Sequence, residues 1–226
     1  PPQHAPRRQR QMCIRDRAYN AWVICLRNPM LRLEDLQIAN IEPINLTIAP
    51  GQCIGVSGES GSGKTRFLRA IADLDEHGGQ VYEENIAQDQ IKAHEWRRRV
   101  ALLPAESQWW FDTVDQHFNT QAKYIEALGF DQDVMHWNVS RCSSGEKQRL
   151  SILRMLSNSP RVLLLDEPTA NLDSSNIARV EDFIGDYLSE HNAIAIWVGH
   201  DAAQLERVSQ QQYHLSGGQL QQVNKP

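Results

Sequence analysis

The stretch that decides the fold is Gly58-Glu59-Ser60-Gly61-Ser62-Gly63-Lys64-Thr65, a full match to the pattern GxxxxGK[ST] of phosphate-binding loops. We call residues 58–65 the phosphate loop. Its glycines let successive backbone N–H groups curl around a phosphate, and a helix that follows adds positive potential. Lys64 can reach the β- and γ-phosphates of a nucleotide, and the Thr65 hydroxyl can bind Mg²⁺. The alternative, a glycine-rich turn with a solvated lysine, fits less well because an apolar strand at 53–57 leads into the loop.

A second element is an apolar strand at 162–165 that ends in two acids, Asp166 and Glu167. The end of such a strand lies at the carboxyl edge of the sheet, beside the phosphate loop. There Asp166 can hold Mg²⁺ directly or through water, and Glu167 can orient or deprotonate an attacking water. Alone, the acid pair would also fit a helix cap. Together with the phosphate loop it favours nucleotide hydrolysis.

From Leu31 onward the chain alternates between strand and helix patterns. Period-two alternation near the start indicates half-buried strands, whereas the later apolar strands separated by helices indicate a mainly parallel sheet covered on both faces. We therefore predict an α/β fold of the P-loop NTPase type with an N-terminal antiparallel part. The predicted strands are 31–36, 44–48, 53–57, 80–82, 100–103, 162–165, 193–198, 211–215 and 219–223, and the helices are 64–72, 94–99, 146–157 and 174–190.

Between the strand at 100–103 and the helix at 146–157 the pattern changes. A helix over 112–128 would place five side chains on one stripe and would stop at Gly129. We therefore predict a short α-helical insert at about 108–141. The stripe consists of Val114, Phe118, Gln121, Ile125 and Leu128.

Composition limits the class of protein. The 226 residues are 41% hydrophobic and 23% charged, as in ordinary globular chains, and no apolar run approaches the roughly 18 residues of a membrane helix. The four cysteines show no paired spacing, which predicts a reducing compartment. Residues 1–29 hold six arginines against one acid, so the remainder has 17 basic and 27 acidic side chains. That acidic body argues against a nucleic-acid partner.

The basic head, residues 1–29, lacks the apolar core and cleavage site of a secretory signal and is rich in proline, glutamine and arginine. We expect it to be disordered or foreign to the native protein, with Met30 as a plausible start. Residues 30–226 would then form one domain that contains the insert.

Further motifs resemble the ATP-binding cassette (ABC) family over residues 31–223. Asp166-Glu167-Pro168-Thr169 and Ala170-Asn171-Leu172-Asp173 look like its Walker B and D-loop run, and His200, followed by Asp201, matches its switch histidine. The segment 142–149, Cys-Ser-Ser-Gly-Glu-Lys-Gln-Arg, resembles the signature LSGGEKQR with two replacements. Segments 173–176 and 195–201 look most like small metal- or iron-export ATP-binding proteins.

The resemblance implies an ATPase subunit that uses ATP and Mg²⁺. Two cassettes, here most simply a homodimer, would close head to tail on ATP and drive a separate membrane permease from the cytoplasmic face of the plasma membrane. Catalysis would fall to Lys64, Glu167 and His200. Nucleotide contacts would come from the whole phosphate loop, Arg66 and Asp173, and in trans from Ser143 and Gly145; Thr65 and Asp166 would bind the metal.

Two segments compete for the signature role. Ser143 and Glu146 form a capping-box pattern at the start of a helix, which makes an anion-friendly N-terminus. The literal Leu215-Ser216-Gly217-Gly218-Gln219 lies after His200, and strand-like residues flank it. A Gly-Gly pair between two strands predicts a hairpin, so we assign the signature to 142–149.

The chain departs from the family at two nucleotide contacts. The glutamine expected just after 100–103 is missing, and Glu106 or Gln108 is the candidate replacement. The aromatic residue that normally stacks on adenine near 38–42 is missing too, and Ile38 and Ile41 offer only apolar contact. We therefore expect loose selectivity for the base.

Two exposed-looking clusters have open interpretations. Trp109-Trp110-Phe111 could receive a helix of a membrane partner, or could pack the insert against the sheet. The triplet at 97–99, Arg-Arg-Arg, favours a solvated helix face over a phosphate or lipid contact. The main competing function is a soluble ABC-type ATPase of DNA repair or of ribosomes. A kinase or GTPase would leave the signature, Asp173 and His200 unexplained.

Overall fold

The computed structural model describes residues 31–118 and 123–223. The predicted disordered or foreign head, residues 1–29, lies outside the described residues, as does Gln121 of the predicted helical stripe. Among the helices described, none has both the length and the apolar character needed to cross a bilayer.

In chain order the strands are β1 (Leu31–Ile38), β2 (Ile41–Ile48), β3 (Cys53–Ser57), β4 (Gly78–Glu83), β5 (Ile86–Ala87), β6 (Val100–Leu103), β7 (Val162–Asp166), β8 (Ile194–Val198), β9 (Gln211–Ser216) and β10 (Gln219–Val223). The α-helices are α1 (Lys64–Ile71), α2 (Ala93–Arg99), α3 (Ser144–Leu156), α4 (Ser174–His191) and α5 (Ala202–Val208).

The first sheet is antiparallel, in the order β2-β1-β4-β5. Leu31 and Leu33 alternate into the core, and the alternation then shifts by one residue so that Leu36 also faces inward. The shift occurs at a bulge where Asp35 takes a left-handed backbone at φ 47° and Asn45 accepts its N–H at 2.9 Å. The predicted N-terminal antiparallel part is confirmed.

The second sheet carries the phosphate loop and has the order β10-β9-β3-β8-β7-β6. Its strands from β9 to β6 run parallel, and β10 alone returns antiparallel. β7 and β8 are buried along their whole length, as the apolar runs predicted. Because β3, β8 and β7 are neighbours and run the same way, the segments that follow them meet at one edge of the sheet.

Two hydrophobic cores cover the two faces of this sheet. One lies between the sheets with α1, and Ile54, Leu164 and Ile196 point into it. The other lies under α3, α4 and the insert, and Leu163 and Trp197 point into it. One stripe of α4 faces this core: Val180, Ile184 and Leu188 are buried, and Ile177 is half-buried.

Two arginines of the triplet at the end of α2 lie close to acidic side chains. Arg99 makes an ion pair with the buried Glu83 of β4, and Arg97 lies 3.8 Å from Asp73. Both pairs join α2 to neighbouring parts of the same chain, next to β4 and α1. They support the prediction of a helix face over that of a phosphate or lipid contact.

The predicted α-helix over 112–128 is wrong. The described residues of 108–141 form short 3₁₀ turns, at Asp115–His117, Glu126–Leu128, Gln132–His136 and Val139–Arg141. The stripe was nonetheless a correct sign of burial, because Val114, Ile125 and Leu128 lie in the core, and Gly129 has φ 78° where the predicted helix was to stop.

The reason for the error lies in backbone pairing with residues far along the chain. The Val114 N–H donates to the Trp137 carbonyl at 3.1 Å, and the Val139 N–H donates to the Asp112 carbonyl at 2.8 Å. His117 accepts the N–H groups of Trp110 and Phe111 at its Nε2, both at 3.0 Å. The Asp112 carbonyl, which a helix from 112 would use for its first hydrogen bond, is thus taken by a tertiary contact that periodicity does not reveal.

Candidate functional site

The phosphate loop joins β3 to α1 and curls around the Lys64 ammonium. Lys64 is only 7% exposed, and its Nζ donates to the Gly58 and Glu59 carbonyls at 2.9 and 2.8 Å. Gly58 must be glycine, because a Cβ there would lie 2.4 Å from the Leu215 carbonyl oxygen. The loop therefore holds a buried cation at its centre, between the end of a strand and the start of a helix.

The loop also has the features of an anion cradle. α1 begins at Gly63, which has φ 106°, and its first turn contains no acid. The Ser62 hydroxyl is buried and has no hydrogen-bond partner among the described residues. A buried hydroxyl without a partner is costly, and a phosphate oxygen would satisfy it. The residues present therefore fit the phosphates of a nucleotide.

Asp166, the last residue of β7, lies beside the first residues of α1. The Thr65 hydroxyl donates to its Oδ2 at 2.8 Å, although 101 positions separate the two residues. Asp166 is 4% exposed, and burial raises its pKa, with a smaller contribution from Glu167 and an opposing one from the Thr65 hydrogen bond. A hydroxyl and a carboxylate oxygen side by side are hard ligands of the kind Mg²⁺ takes.

Glu167 and His200 meet at the open edge of the same sheet. His200 Nε2 lies 2.9 Å from Glu167 Oε1, with the two side chains 52% and 37% exposed. Glu167 has a left-handed backbone, φ 50°, and its N–H donates to the Val198 carbonyl at 3.0 Å. That hydrogen bond to the last residue of β8 fixes the backbone position from which the Glu167 side chain extends. The carboxylate can therefore reach a water between the sheet edge and solvent.

The segment 142–149 starts α3 as predicted. Ser143 is the N-cap: its hydroxyl accepts the Glu146 N–H at 3.2 Å, and Glu146 Oε2 accepts the Ser143 N–H at 2.8 Å. These bonds lower the pKa of Glu146, the backbone bond from Ser143 contributing most. The predicted capping box is confirmed. A Cβ on Gly145 would lie 3.2 Å from the Asn171 carbonyl oxygen, so the D-loop packs closely on this helix.

Asp173, predicted to contact nucleotide, is the N-cap of α4. Its Oδ1 accepts the N–H groups of Ser175 and Asn176, both at 3.0 Å. Hydrogen bonds from Ser175 and then Asn176 hold the pKa of this carboxyl far below its usual range. Within one chain the carboxylate is therefore ionised and engaged in capping.

The comparisons with known proteins bear on this arrangement of motifs. The sequence model described as "ABC transporter" matches residues 41–170, which is more than half of the chain and runs from β2 through the phosphate loop and the signature segment to Ala170. The chain belongs to the ABC transporter family.

Relatives and solved structures agree with this assignment. The chain is 30% identical over 195 residues to the probable iron export ATP-binding protein FetA of Escherichia coli (strain K12), covering 77% of this chain and 86% of that protein. It is 31% identical over 183 residues to the aliphatic sulfonates import ATP-binding protein SsuB 2 of Pseudomonas syringae pv. syringae, covering 80% and 65%. A dimeric ATP-binding cassette in a post-hydrolysis state with ADP and Pi shares the fold, with TM-score 0.74 at 21% identity over 86% of this chain and 98% of that one.

As an ABC cassette, the chain is an ATP-binding and ATP-hydrolysing unit with the α/β P-loop fold. The resemblance to iron-export ATP-binding proteins is confirmed by the first of these relatives. Both relatives are transport ATP-binding proteins, which does not favour the alternative of a DNA-repair or ribosomal ATPase. ABC cassettes of this kind work as dimers with membrane permease subunits.

The literal LSGGQ of the cassette is a hairpin turn, as predicted. Gly217 and Gly218 both have positive φ, 56° and 81°, between β9 and β10. The turn lies against the start of β2, where the Glu42 N–H donates to the Gly218 carbonyl at 2.7 Å. It caps no helix, so the signature role stays with 142–149.

The region expected to receive adenine is apolar and is bridged by an arginine. Ile38 and Ile41 are buried, and Ile41 lies against Gly63 of the phosphate loop. The Arg66 guanidinium donates to the Ala39 carbonyl at 3.2 Å and so spans from α1 to the β1–β2 turn. Of the candidate replacements for the missing glutamine, Glu106 and Gln108 are both exposed.

Sequence reasoning missed the polar residues that join these motifs. Gln148 of α3 donates to the Pro168 carbonyl at 3.3 Å, and Gln204 of α5 donates to the Thr169 hydroxyl at 2.9 Å. Both glutamines are buried. A buried polar residue on a helix next to a motif is indistinguishable in one sequence from an exposed one, so only its position four residues after His200 could have drawn attention to Gln204.

Proposed function

We propose that this chain is the ATPase subunit of a transporter, in which two copies close on two ATP molecules and drive a separate membrane permease. The observation that carries the proposal is the convergence of three segments at one sheet edge, namely the phosphate loop, Asp166-Glu167 and His200. The Thr65–Asp166 contact at 2.8 Å and the Glu167–His200 contact at 2.9 Å join them.

In this proposal the phosphate loop binds the β- and γ-phosphates. Backbone N–H groups of Gly58 to Thr65 and the Ser62 hydroxyl donate to phosphate oxygens, and Lys64 turns its ammonium from the loop carbonyls toward them. Thr65 and Asp166 hold Mg²⁺ through a hydroxyl and a carboxylate oxygen. When bound, the metal neutralises charge that develops on the phosphates during transfer.

Glu167 orients the attacking water and accepts its proton, while His200, in contact with the same carboxylate, fixes its direction toward the γ-phosphate. The backbone of Glu167 supports this role, since its N–H bond to the Val198 carbonyl fixes the position of the residue at the sheet edge. As the water oxygen bonds to the γ-phosphorus, the bond from that phosphorus to the β–γ bridging oxygen breaks, ADP leaves with the bonding electrons, and the Glu167 carboxylate holds the water proton.

The second copy completes the site. The exposed N-terminus of α3, with Ser143 and Gly145, would meet the γ-phosphate bound by the partner, because no hydrogen bond joins this segment to the phosphate loop within the described part of one chain. Asp173 would lie near the same boundary, at the start of α4. Arg66, Ile38 and Ile41 would face the base and ribose, where apolar contact discriminates weakly between bases.

The permease is proposed to dock on the aromatic cluster of the insert. Trp110 and Phe111 are 64% and 49% exposed, and the His117 ring packs edge-on against both. Trp109 is half-buried in the core beneath them, so packing and docking each account for part of the triplet. Exposed aromatic side chains of this size are typical of protein interfaces. Docking there would hold the cassette at the cytoplasmic face of the membrane.

The test is the substitution Glu167→Gln, which keeps the shape of the side chain but cannot accept a proton. We expect it to bind MgATP, to lose at least about 100-fold in hydrolysis rate, and to accumulate as a dimer in size-exclusion chromatography with saturating MgATP. Lys64→Ala is the matched control, since it should stay monomeric for lack of phosphate binding. A Glu167→Gln protein that binds MgATP and stays monomeric would contradict the paired-cassette mechanism.

A further inference from the structure

The Glu167–His200 contact is made by two loops that need a means of staying together. Glu167 follows β7 and His200 follows β8, and the 2.9 Å contact joins two partly exposed side chains. Exposed ion pairs of this kind stabilise a geometry by no more than about 1 kcal/mol. By itself, the contact therefore does little to hold the two residues in position.

A second contact between the same two segments is buried. Gln204 is 7% exposed, and its Nε2 donates to Thr169 Oγ1 at 2.9 Å. Thr169 lies two residues after Glu167, and Gln204 lies on α5, four residues after His200 and just beyond its N-cap Asp201. The Gln204–Thr169 bond thus runs alongside the Glu167–His200 contact and joins the same two segments of chain.

A third element fixes the orientation of the Gln204 amide. The second hydrogen of Nε2 goes to Glu181 Oε1 on α4 at 2.9 Å, and Arg207 donates twice to the same carboxylate, at 3.0 and 2.8 Å. Burial raises the pKa of Glu181, but the bonds from Arg207 and Gln204 outweigh it, so the net direction is downward. An ionised carboxylate only accepts, so it fixes the nitrogen of the amide toward Glu181. The amide oxygen then also faces Thr169, whose hydroxyl donates to Gln204 Oε1 at 3.2 Å.

The turn that carries Glu167 is closed on its other side as well. The Ala170 N–H donates to the Glu167 carbonyl at 3.0 Å, and Gln148 of the signature helix reaches the Pro168 carbonyl at 3.3 Å. Gln204 is the contact that ties this closed turn to the segment of His200. Apart from the Gln204 contact, the hydrogen bond described between this turn and the segment of His200 is the one from the Glu167 N–H to the Val198 carbonyl.

We propose that Gln204 is a positioning residue for hydrolysis. Its contact with Thr169, which we call the clasp, holds the loop that carries His200 against the turn that carries Glu167. The clasp thereby keeps Glu167 and His200 at the distance at which they orient the water. The inference rests on the proposed roles of Glu167 and His200. Because the Gln204 amide is engaged with Thr169 and Glu181, we assign it no contact with nucleotide or water. Its effect falls on the rate of the chemical step, since a shift of about 1 Å between catalytic groups can cost up to about 100-fold in rate.

The test uses Gln204→Met in the full chain, because methionine keeps the length and flexibility of glutamine and removes all hydrogen bonds of the amide. We expect kcat to fall about 10- to 100-fold, with KM for MgATP and the dissociation constant of a fluorescent ATP analogue changed by less than about twofold. Thr169→Val should give a similar loss, and the double variant should lose no more than the larger single loss, because both remove the same clasp. Gln222→Met, the same change on exposed β10, should match the wild-type rate.

Two results would overturn the proposal. One is a wild-type kcat in Gln204→Met; the other is a joint fall of kcat, ATP affinity and melting temperature, which would mean that the clasp only supports the fold. Glu167→Gln separates this from failure of the proposed function. If Glu167→Gln is inactive while Gln204→Met is not, only the positioning role fails; if Glu167→Gln hydrolyses ATP normally, the assignment of Glu167 fails and the inference with it.

Discussion

At the scale of single residues, the site combines buried charged and polar groups that a phosphate or a divalent cation could bind. Lys64 is almost fully buried with only backbone carbonyls as partners, and Asp166 is buried beside Glu167. The Ser62 hydroxyl is buried without a partner among the described residues. Each of these groups is satisfied by phosphate or by a divalent cation, so the free energy of binding goes partly into relieving them.

Asp166 gives a prediction in which stability and activity move in opposite directions. Its pKa is raised in the folded state, so the folded protein favours the protonated form and ionisation at neutral pH costs stability. We expect Asp166→Asn to raise the melting temperature of the nucleotide-free protein at pH 7 and to lose at least about 100-fold in Mg²⁺-dependent hydrolysis. The stabilisation should shrink as the pH falls and the wild-type carboxyl takes up its proton.

Calorimetry of the two proteins between pH 4 and pH 8 would measure this, with nucleotide and magnesium left out. Asp182→Asn is a suitable control, because Asp182 is an exposed acid of α4. A lower melting temperature for Asp166→Asn at pH 7 would show that the Thr65 hydrogen bond, and not burial of the charge, dominates at this position.

At the scale of elements, helix N-termini carry the function. α1 presents its N-terminus to the phosphate loop, α3 begins at the signature with a complete capping box, and α4 begins at Asp173. In α3 the cap is made by one serine that is also the proposed contact to the γ-phosphate in trans. In that proposal one hydroxyl has a structural role in the single chain and contacts the γ-phosphate in the dimer.

Ser143→Ala should therefore have two effects. Loss of the cap should cost about 1 kcal/mol of stability, which lowers the melting temperature by about 2 to 4 °C in a chain of this size. Hydrolysis should fall as well, whereas Ser143→Thr should keep both properties. Melting curves and steady-state ATPase rates of the two variants are the measurements.

Mixing distinguishes an effect in trans from one in cis. Ser143→Ala chains retain the phosphate loop, and Lys64→Ala chains retain the signature, so a mixed dimer has one intact composite site. An equimolar mixture should hydrolyse ATP faster than either variant alone, because each mixed dimer has one good site of two. A mixture no more active than its components would place the effect of Ser143 within its own chain.

At the scale of the whole molecule, the two outer strands of the large sheet lie beside different surfaces. The insert with Trp110 and Phe111 follows β6 at one edge, while the glutamine-rich β10 closes the other. β6 runs parallel to β7, so the insert leaves the sheet at the same carboxyl end as Asp166-Glu167, next to the outer strand.

Trp110→Ser should separate docking from hydrolysis. We expect the isolated cassette to keep its ATPase rate and to lose about 2 kcal/mol or more of affinity for the membrane partner, seen as loss of co-purification with solubilised membranes. Val223→Ser removes an exposed apolar side chain from β10, at the opposite edge, and should bind as the wild type does. Equal recovery of both variants from membranes would move the docking surface away from the aromatic cluster.

Local chemistry explains what the sequence determined by itself. The phosphate loop, the Asp166-Glu167 pair, the capping box at Ser143 and the Gly217-Gly218 turn are contiguous, and each is specified by residues within a few positions of one another. Burial along the strands follows from the same local reading, since apolar alternation and apolar runs depend only on neighbours. The class of fold and the candidate residues of the site were therefore predictable.

Tertiary structure alone decided what joins distant residues. The segment 112–128 has a helical stripe but forms 3₁₀ turns, because its backbone pairs with 137–139. Arg66 spans to the β1–β2 turn, and Gln204 binds Thr169 from another helix. Each depends on which groups the sheet brings within about 3 Å of one another. A sequence pattern shows the periodicity of one helix or strand, but the distance between two of these elements is set only when they pack together in the folded chain.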